Sequence, residues 1–427
     1  MSDLELSDSA AAPAEHASIQ QRTLRVLWGS SMFSRGAVSA IFAVAVLAIK
    51  DLLGDDNEKW AGTSTAASTV GSAIAAGLLA AYMQRKGRTL GLSLGLAVAV
   101  FGAVLCLVSI EAGLLPTFLL GMVLVGVGSG ASNLSRYAAA DLAPEERRSR
   151  DISSVVFAAT FGAVLFPLLI GPVNGLAEEL GFNARSGGMA MGALLFLASA
   201  FAIFVFMRPD PLAVAGGITD KATAKRDAVP FRRAVAIAWA SPLARLAFVA
   251  LVISQAVMVM VMAMTPLHME AHGHGDGTVG AVISAHTLGM FAFAPLAGWL
   301  SDRFGRLPVI VLAGITLSLA TVLTALAGEA PRILMFPGLY LLGLGWSFGI
   351  VAGSALLTES VKPGDRVAVQ GAADVATNLA SGVGALASGV VVDMAGFHVL
   401  SFLGMAGAAV LLGQSWFERR LASAVPL

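Results

Sequence analysis

Twelve stretches of this chain are apolar enough and long enough to cross a lipid bilayer, and that property removes most folds from consideration. Crossing takes roughly 20 residues at about 1.5 Å each. The runs fall at about 25–49, 60–83, 89–109, 114–137, 152–177, 189–207, 239–265, 278–300, 307–327, 332–357, 371–393 and 397–417. Runs of this length with so few charges are read as transmembrane helices. Charged residues make up 13% of the chain and hydrophobic ones 57%, against roughly 25% and 45–50% in soluble domains. The expected class is an all-α integral membrane protein with twelve transmembrane helices.

Charge distribution sets the orientation. An even number of spans puts both termini on one side, and that side receives most of the 27 basic residues. Among them are Arg22, Arg25, Arg85, Lys86, Arg88, Arg136, Arg147, Arg148, Arg150, Arg303, Arg306, Lys362, Arg366, Arg419 and Arg420. The opposite loops hold only Lys50, Lys59, Arg185 and Arg332, among acids such as Asp51, Asp55, Asp56, Glu58, Glu178 and Glu179. Under the positive-inside rule both termini are cytoplasmic, and the membrane is a plasma (inner) membrane of bacterial style. Trp28, Trp60, Trp239, Trp299 and Trp416 fall at predicted span ends, where an amphipathic ring prefers the interface.

The two halves repeat. Gly121, Gly126 and Gly128 return 217 positions later as Gly338, Gly343 and Gly345. Gly62 and Gly71 return at 218 as Gly280 and Gly289, and Gly87-Arg88 returns as Gly305-Arg306. Pro144 and Arg147 return at 219 as Pro363 and Arg366. The reading is a duplicated six-helix unit, whose copies enclose a site and rock about it. Boundaries follow: a disordered cytoplasmic tail over 1–24, six-helix bundles over 25–207 and 239–418, a cytoplasmic linker over 208–238, and a C-terminus over 419–427. Small residues let helix backbones approach in lipid, so most of the 47 glycines are read as packing positions.

Between spans eight and nine lies Gly298-Trp299-Leu300-Ser301-Asp302-Arg303-Phe304-Gly305-Arg306. Gly298 permits close backbone approach, and Gly305 permits the positive φ of a short reversal. Basic residues alone would orient the helices; an aspartate at the membrane face exceeds that need. The stretch resembles the loop signature of the major facilitator superfamily, G-x-L-x-D-R-x-G-R, at every defined position. The resemblance covers about residues 25 to 418 and implies two pseudo-symmetric six-helix bundles. It also implies a cytoplasmic gate of carboxylate, arginines and a helix N-terminus, with Asp302 facing the start of helix five near Arg147, Arg148 and Arg150. By position the gate extends to Arg303, Arg306, Arg85, Gly87, Arg88 and Arg366. In the first half Ala80, Tyr82 and Gln84 replace the signature's Gly, Leu and Asp, so the gate near helix eleven is expected to be the weaker one.

Helix five holds Gly162, Pro167, Gly171-Pro172 and Gly175. Proline inside a helix removes a hydrogen bond and kinks it, and neighbouring glycines let the kink pack. Gly-Pro-x-x-Gly resembles the helix-five signature of family drug–proton antiporters, with Pro167 where another glycine usually stands. Helix four departs from that branch, since Met122 occupies the position of the usual proton-linked arginine.

Ionisable groups within spans are few, and each costs about 2.5–3.5 kcal/mol on insertion scales. Arg35 suits snorkelling to the cytoplasmic face or a role in substrate binding. His286 has the one side chain that ordinarily titrates near neutrality, and suits either proton exchange or a neutral hydrogen bond between helices. Asp374, one turn into the expected helix eleven, suits helix-end stabilisation or coupling. His268, His272 and His274 cluster with Glu270 and Asp276 in the loop after helix seven, a spacing that suits either capture of a divalent metal or a simply solvated loop, and no metal is assigned. Met258, Met260, Met262 and Met264 suit an adaptable apolar lining or plain packing.

Cys106 is the only cysteine, and no nucleotide-binding loop, Ser-His-Asp set or H-E-x-x-H is present. Neither an enzyme nor a cofactor is expected. Equal numbers of acids and bases point to no nucleic-acid partner. The expectation is a monomeric transporter in the lipid bilayer that exports a small amphipathic organic molecule in exchange for protons. Alternatives are uptake of a polar nutrient or chelated metal, or a non-transporting sensor, for which a linker of about 30 residues is too small an effector domain.

Overall fold

The computed structural model describes residues 3–53, 63–218, 229–271, 276–327 and 331–424. Among them every regular element is helical, and twelve helical segments are long and apolar enough to cross a membrane. The first half comprises α1 (Asp3–Leu53), α2 (Thr63–Lys86), α3 (Arg88–Ala112), α4 (Leu115–Ala138), α5 (Arg148–Leu165), α6 (Ile170–Glu179) and α7 (Ala184–Phe206). Two short helices follow, α8 (Pro211–Val214) and α9 (Phe231–Ala240). The second half comprises α10 (Pro242–Ala271), α11 (Asp276–Phe291), α12 (Ala294–Phe304), α13 (Arg306–Ala325), α14 (Pro331–Glu359), α15 (Pro363–Ala395) and α16 (Phe397–Ala424).

Several boundaries differ from the sequence expectation, each for a local reason. Helix α1 begins at Asp3, inside the stretch read as a tail, where alanines at 10, 11, 12, 14 and 17 favour helix. The eighth span is two helices, because Pro295 has no amide hydrogen and starts α12 afresh. The fifth is also divided: Pro167 sits in a 3-10 turn, Phe166–Leu169, between α5 and α6. The eleventh begins at Pro363, two turns earlier than its hydrophobic run, since Asp365, Arg366 and Gln370 are polar but helical.

Two compact units emerge. One holds residues 1–144, 161–230 and 363–374; the other holds 145–160, 231–362 and 375–427. Each half therefore lends the beginning of one helix to the other unit: α5 up to Thr160, and α15 up to Asp374.

Within each unit glycines set the helix crossings. A β-carbon on Gly71 would strike the backbone of Val123, and one on Gly126 that of Ser68, so α2 and α4 cross backbone to backbone. The second unit repeats this between α11 and α14, where Gly289 meets the backbone of Tyr340 and Gly343 that of His286. Gly87 (φ 90°) and Gly305 (φ 93°) make the reversals before α3 and α13, a conformation open to glycine because it lacks a β-carbon. In the second unit a bidentate pair ties the start of α10 to the end of α16: Arg245 donates to both oxygens of the buried Glu418, at 2.5 and 2.7 Å.

Candidate functional site

Asp302 stands on α12 one turn beyond Gly298, which puts both on the face toward the start of α5. A helix start leaves backbone N–H groups without intrahelical partners. Asp302 takes two of them: Oδ1 accepts from the Ser149 amide at 3.0 Å, and Oδ2 from the Arg150 amide at 2.9 Å. The Arg150 side chain adds a third bond at 3.2 Å. The carboxylate is fully buried, so its charge is balanced by amides, a guanidinium and the positive helix end rather than by water. Ser149 and Ser301 share a hydroxyl bond of 3.0 Å, and Gly298 lies against the Ser149 carbonyl with no space for a β-carbon.

A second layer supports this clasp. Arg306 donates to Glu359 at 2.7 Å and lies 3.5 Å from Asp302, and it also donates to the Glu145 carbonyl. Arg148 reaches Glu359 from the start of α5 at 3.2 Å. Glu359 ends α14 and so links three helices of the second unit.

The first unit holds the counterpart. Arg88 is fully buried and grips Asp141 with a bidentate fork, 2.8 and 3.1 Å, then donates to Gln370 on α15 at 2.7 Å. Asp141 and Glu359 are 218 positions apart, as are Arg88 and Arg306, so the same pair recurs in both repeats. Gln84 stands where Asp302 stands in the second repeat, and its Nε2 donates to the Gly364 carbonyl at 2.8 Å. Glutamine thus makes one neutral bond where aspartate makes two amide bonds and an ion pair.

One helical turn deeper on α15 is Asp374. It is buried, and it lies eleven positions past Pro363, which excludes the helix-end role left open by the sequence. Its Oδ1 accepts from Arg136 at 2.5 Å and from the Tyr137 hydroxyl at 3.4 Å. Arg136 in turn donates to the Asn133 carbonyl at 2.7 Å and to the Tyr137 oxygen at 3.0 Å.

The chain matches the Major Facilitator Superfamily over residues 27–278 and again over 246–425, which takes in both halves. It belongs to the major facilitator superfamily. The uncharacterized MFS-type transporter YddS of Bacillus subtilis (strain 168) is 32% identical over 412 residues, covering 96% of this chain and 94% of that one. The riboflavin transporter RfnT of Brucella anthropi is 27% identical over 277 residues, 65% of this chain and 66% of that one. Among solved structures, the human organic anion transporter MFSD10 superposes with a TM-score of 0.74 at 17% identity, covering 93% of this chain and 99% of that chain, a likeness of fold alone. The superfamily consists of transporters, not enzymes, so the chain is a multi-pass membrane transporter.

As a superfamily member the chain keeps the loop signature but distributes its other expected residues unevenly. Arg85, Arg147 and Arg303 are exposed, the last beside the Phe304 ring, and Arg366 is half-buried. Arg148 and Arg150, rather than Arg147, make the contacts at the start of α5. Arg35 is half-buried on α1. His286 is buried with Nδ1 at 2.9 Å from the Leu339 carbonyl. A carbonyl only accepts, so this nitrogen carries the hydrogen and the ring bridges α11 and α14.

In helix five, Gly162 packs against the Met32 carbonyl, and Phe166 fills the space above Gly36. A β-carbon on Gly171 or Gly175 would meet nothing within 4 Å, and Pro172 is exposed, so the expected packing of the kink by these glycines is not found. The bend is instead accommodated by the 3-10 turn.

His268 stacks on Phe397 with centroids 4.2 Å apart; Trp60, His272 and His274 lie outside the described residues, as do the side chains of Glu270 and Asp276. Met258 is buried, while Met260, Met262 and Met264 are half-buried. Sequence reasoning missed Asp141, Glu359 and Gln370, and counted Arg136 only among the basic residues of the cytoplasmic side. It also missed the bond of Trp346 to Gln255 at 2.6 Å, foreshadowed by Trp346 being the tryptophan away from any span end.

Proposed function

We propose that this transporter works by alternating access between two six-helix halves, 25–207 and 239–418, joined by the 208–238 linker, and that it acts as a monomer. Its termini face the cytoplasm across a plasma (inner) membrane, as the basic loops favour. The observation that carries the mechanism is the clasp of Asp302 on the amides of Ser149 and Arg150. It holds the start of one helix by contacts that can be broken and remade as a set. The inner gate on this reading comprises Gly298, Asp302, Arg303, Gly305 and Arg306, with Arg85, Gly87 and Arg88 in the other repeat and Arg147 and Arg366 at its edge.

The transported molecule is a small amphipathic organic compound, exported in exchange for protons. Support comes from the sparse charge of the spans, the methionines of α10 and the proline-broken fifth span that resembles the antiporter signature at Gly171, Pro172 and Gly175. A second reading, uptake of a polar organic nutrient, draws on the similarity to the riboflavin transporter RfnT.

Purified protein in liposomes with an imposed pH gradient tests both. Export coupled to proton entry raises counterflow of the true substrate when the outside is acidic. Solute movement indifferent to the gradient contradicts proton coupling, and gradient-driven accumulation on the cytoplasmic side favours uptake.

A further inference from the structure

At the end of the first unit away from the Gly87 reversal, α3, α6 and α7 enclose a groove of about 370 Å³. That size lies within the range of small-molecule sites, roughly 300–1,000 Å³. Leu107 of α3, Val173 of α6, Leu180 just after it, and Ala190, Met191 and Leu194 of α7 line it. Among the described residues, Ser186 is the one polar side chain on its wall. Backbone fixes the floor: a β-carbon on Gly187 would strike the Val173 carbonyl, and the Asn174 side chain accepts from the Gly188 amide at 3.1 Å. Helices α6 and α7 are thereby held at a set distance.

Leu176, Leu180 and Leu194 are exposed at the edges, so on a membrane-spanning bundle the groove opens toward hydrocarbon. Along α7 it runs from Ser186 to Leu194. Eight residues span about 12 Å, close to the hydrocarbon depth of one leaflet, about 15 Å.

The rim is charged, and unevenly. Glu178 and Glu179 end α6 between the lining residues Ala177 and Leu180; both are exposed, and neither has an ion-pair partner among the described residues. Glu111, near the end of α3, accepts from the Asn183 amide at 3.0 Å and from the Ser186 hydroxyl. Arg185, next to Ser186, donates to Asp51 at 3.3 Å in a solvent-accessible pair, which is cheap to exchange.

A ligand that suits wall and rim together has a long apolar chain and a head that donates hydrogen bonds to carboxylates. A primary ammonium donates with three N–H groups, whereas a trimethylammonium has none to give. A head of net negative charge is opposed by three glutamates. Arg185 can serve a phosphodiester, as guanidinium groups commonly do. We propose that the groove binds one aminophospholipid of the phosphatidylethanolamine type, with an acyl chain along α7 and its ammonium at Glu178 and Glu179. The seated chain fills the space between α6 and α7 and so stabilises the part of the broken fifth span beyond Pro167.

For the test, full-length protein is equilibrated with equal amounts of phosphatidylethanolamine, phosphatidylglycerol and phosphatidylcholine carrying identical chains. Native mass spectrometry then counts the lipid retained as the surrounding detergent and lipid are stripped. One phosphatidylethanolamine should remain, favoured about tenfold over the others, near the worth of one hydrogen bond to a charged group. Ala190→Trp, which fills the wall, should lose the retained lipid whatever its head; if it does not fold, Leu194→Trp, at an exposed position, replaces it. Glu178→Gln with Glu179→Gln should keep one lipid but not the preference. In nanodiscs phosphatidylethanolamine should raise the melting temperature of the wild type and not that of the tryptophan variant. Equal retention of the three lipids by the wild type, or retention and a melting shift untouched by tryptophan, overturns the site. A full preference in the double glutamine variant overturns the assignment of the head. No transported solute enters any arm, so the outcome is independent of the transport reading.

Discussion

Gly371 has no room for a β-carbon because the methyl group of Ala80 already fills that place. In the other repeat the arrangement is reversed: Ser153, 218 positions before Gly371, lies against Gly298, the counterpart of Ala80. Each close approach of two helices needs one small partner, and the repeats place it on opposite sides. Loss of the signature glycine at Ala80 is therefore offset on α15.

The exchange can be tested directly. Gly371→Ser should overpack the α2 to α15 contact and cost about 1–3 kcal/mol, and adding Ala80→Gly should recover most of it. Thermal unfolding in detergent measures both. Additive losses in the double variant would contradict the packing account.

The two halves of the gate should differ in strength. Asp302→Ala removes two bonds from backbone amides and an ion pair, where hydrogen bonds to charged groups contribute about 1.5–3 kcal/mol each. Gln84→Ala removes one neutral bond, about 0.5–1.5 kcal/mol. Reactivity of a cysteine placed at Ser153 toward a membrane-impermeant maleimide should rise more for Asp302→Ala. Equal rises would remove the asymmetry.

Arg88 and Arg306 should not tolerate change equally. Arg88→Met leaves Asp141 buried and unpaired, which costs about 3–5 kcal/mol. Arg306→Met leaves Glu359 its contact with Arg148 and should cost less. Melting temperatures of the two variants decide it, and an equal loss would show that burial does not set the difference.

His286→Gln should keep the pH dependence of transport, since its Nδ1 already serves the Leu339 carbonyl and glutamine can donate there too. Its melting temperature should move little. A flattened pH profile would make His286 the proton carrier.

What the sequence revealed and what it concealed divide along physical lines. Span number, repeat and loop reversal were legible because bilayer thickness, glycine spacing and the φ of Gly305 are local constraints. Asp302 could be aimed at helix five through the signature alone. The partners Glu359, Asp141 and Gln370 could not be read, because ion-pair geometry depends on helix rotation, which no run of apolar residues fixes. Asp374 looked superficial since hydropathy placed its helix start two turns late. Gly171 and Gly175 looked like packing residues, but glycine spacing cannot reveal whether a neighbour stands opposite.

Alternating access on this reading requires the starts of α5 and α15 to be released and recaptured. Its most direct measurement follows a single cysteine at Ile253, a half-buried position on α10 and the repeat counterpart of Arg35, in the Cys106→Ser background. Impermeant reagents are applied from one side of oriented vesicles and then from the other. Modification is expected from both sides, with the cytoplasmic rate raised by Asp302→Ala. Reaction from one side only, unchanged by Asp302→Ala, would contradict it.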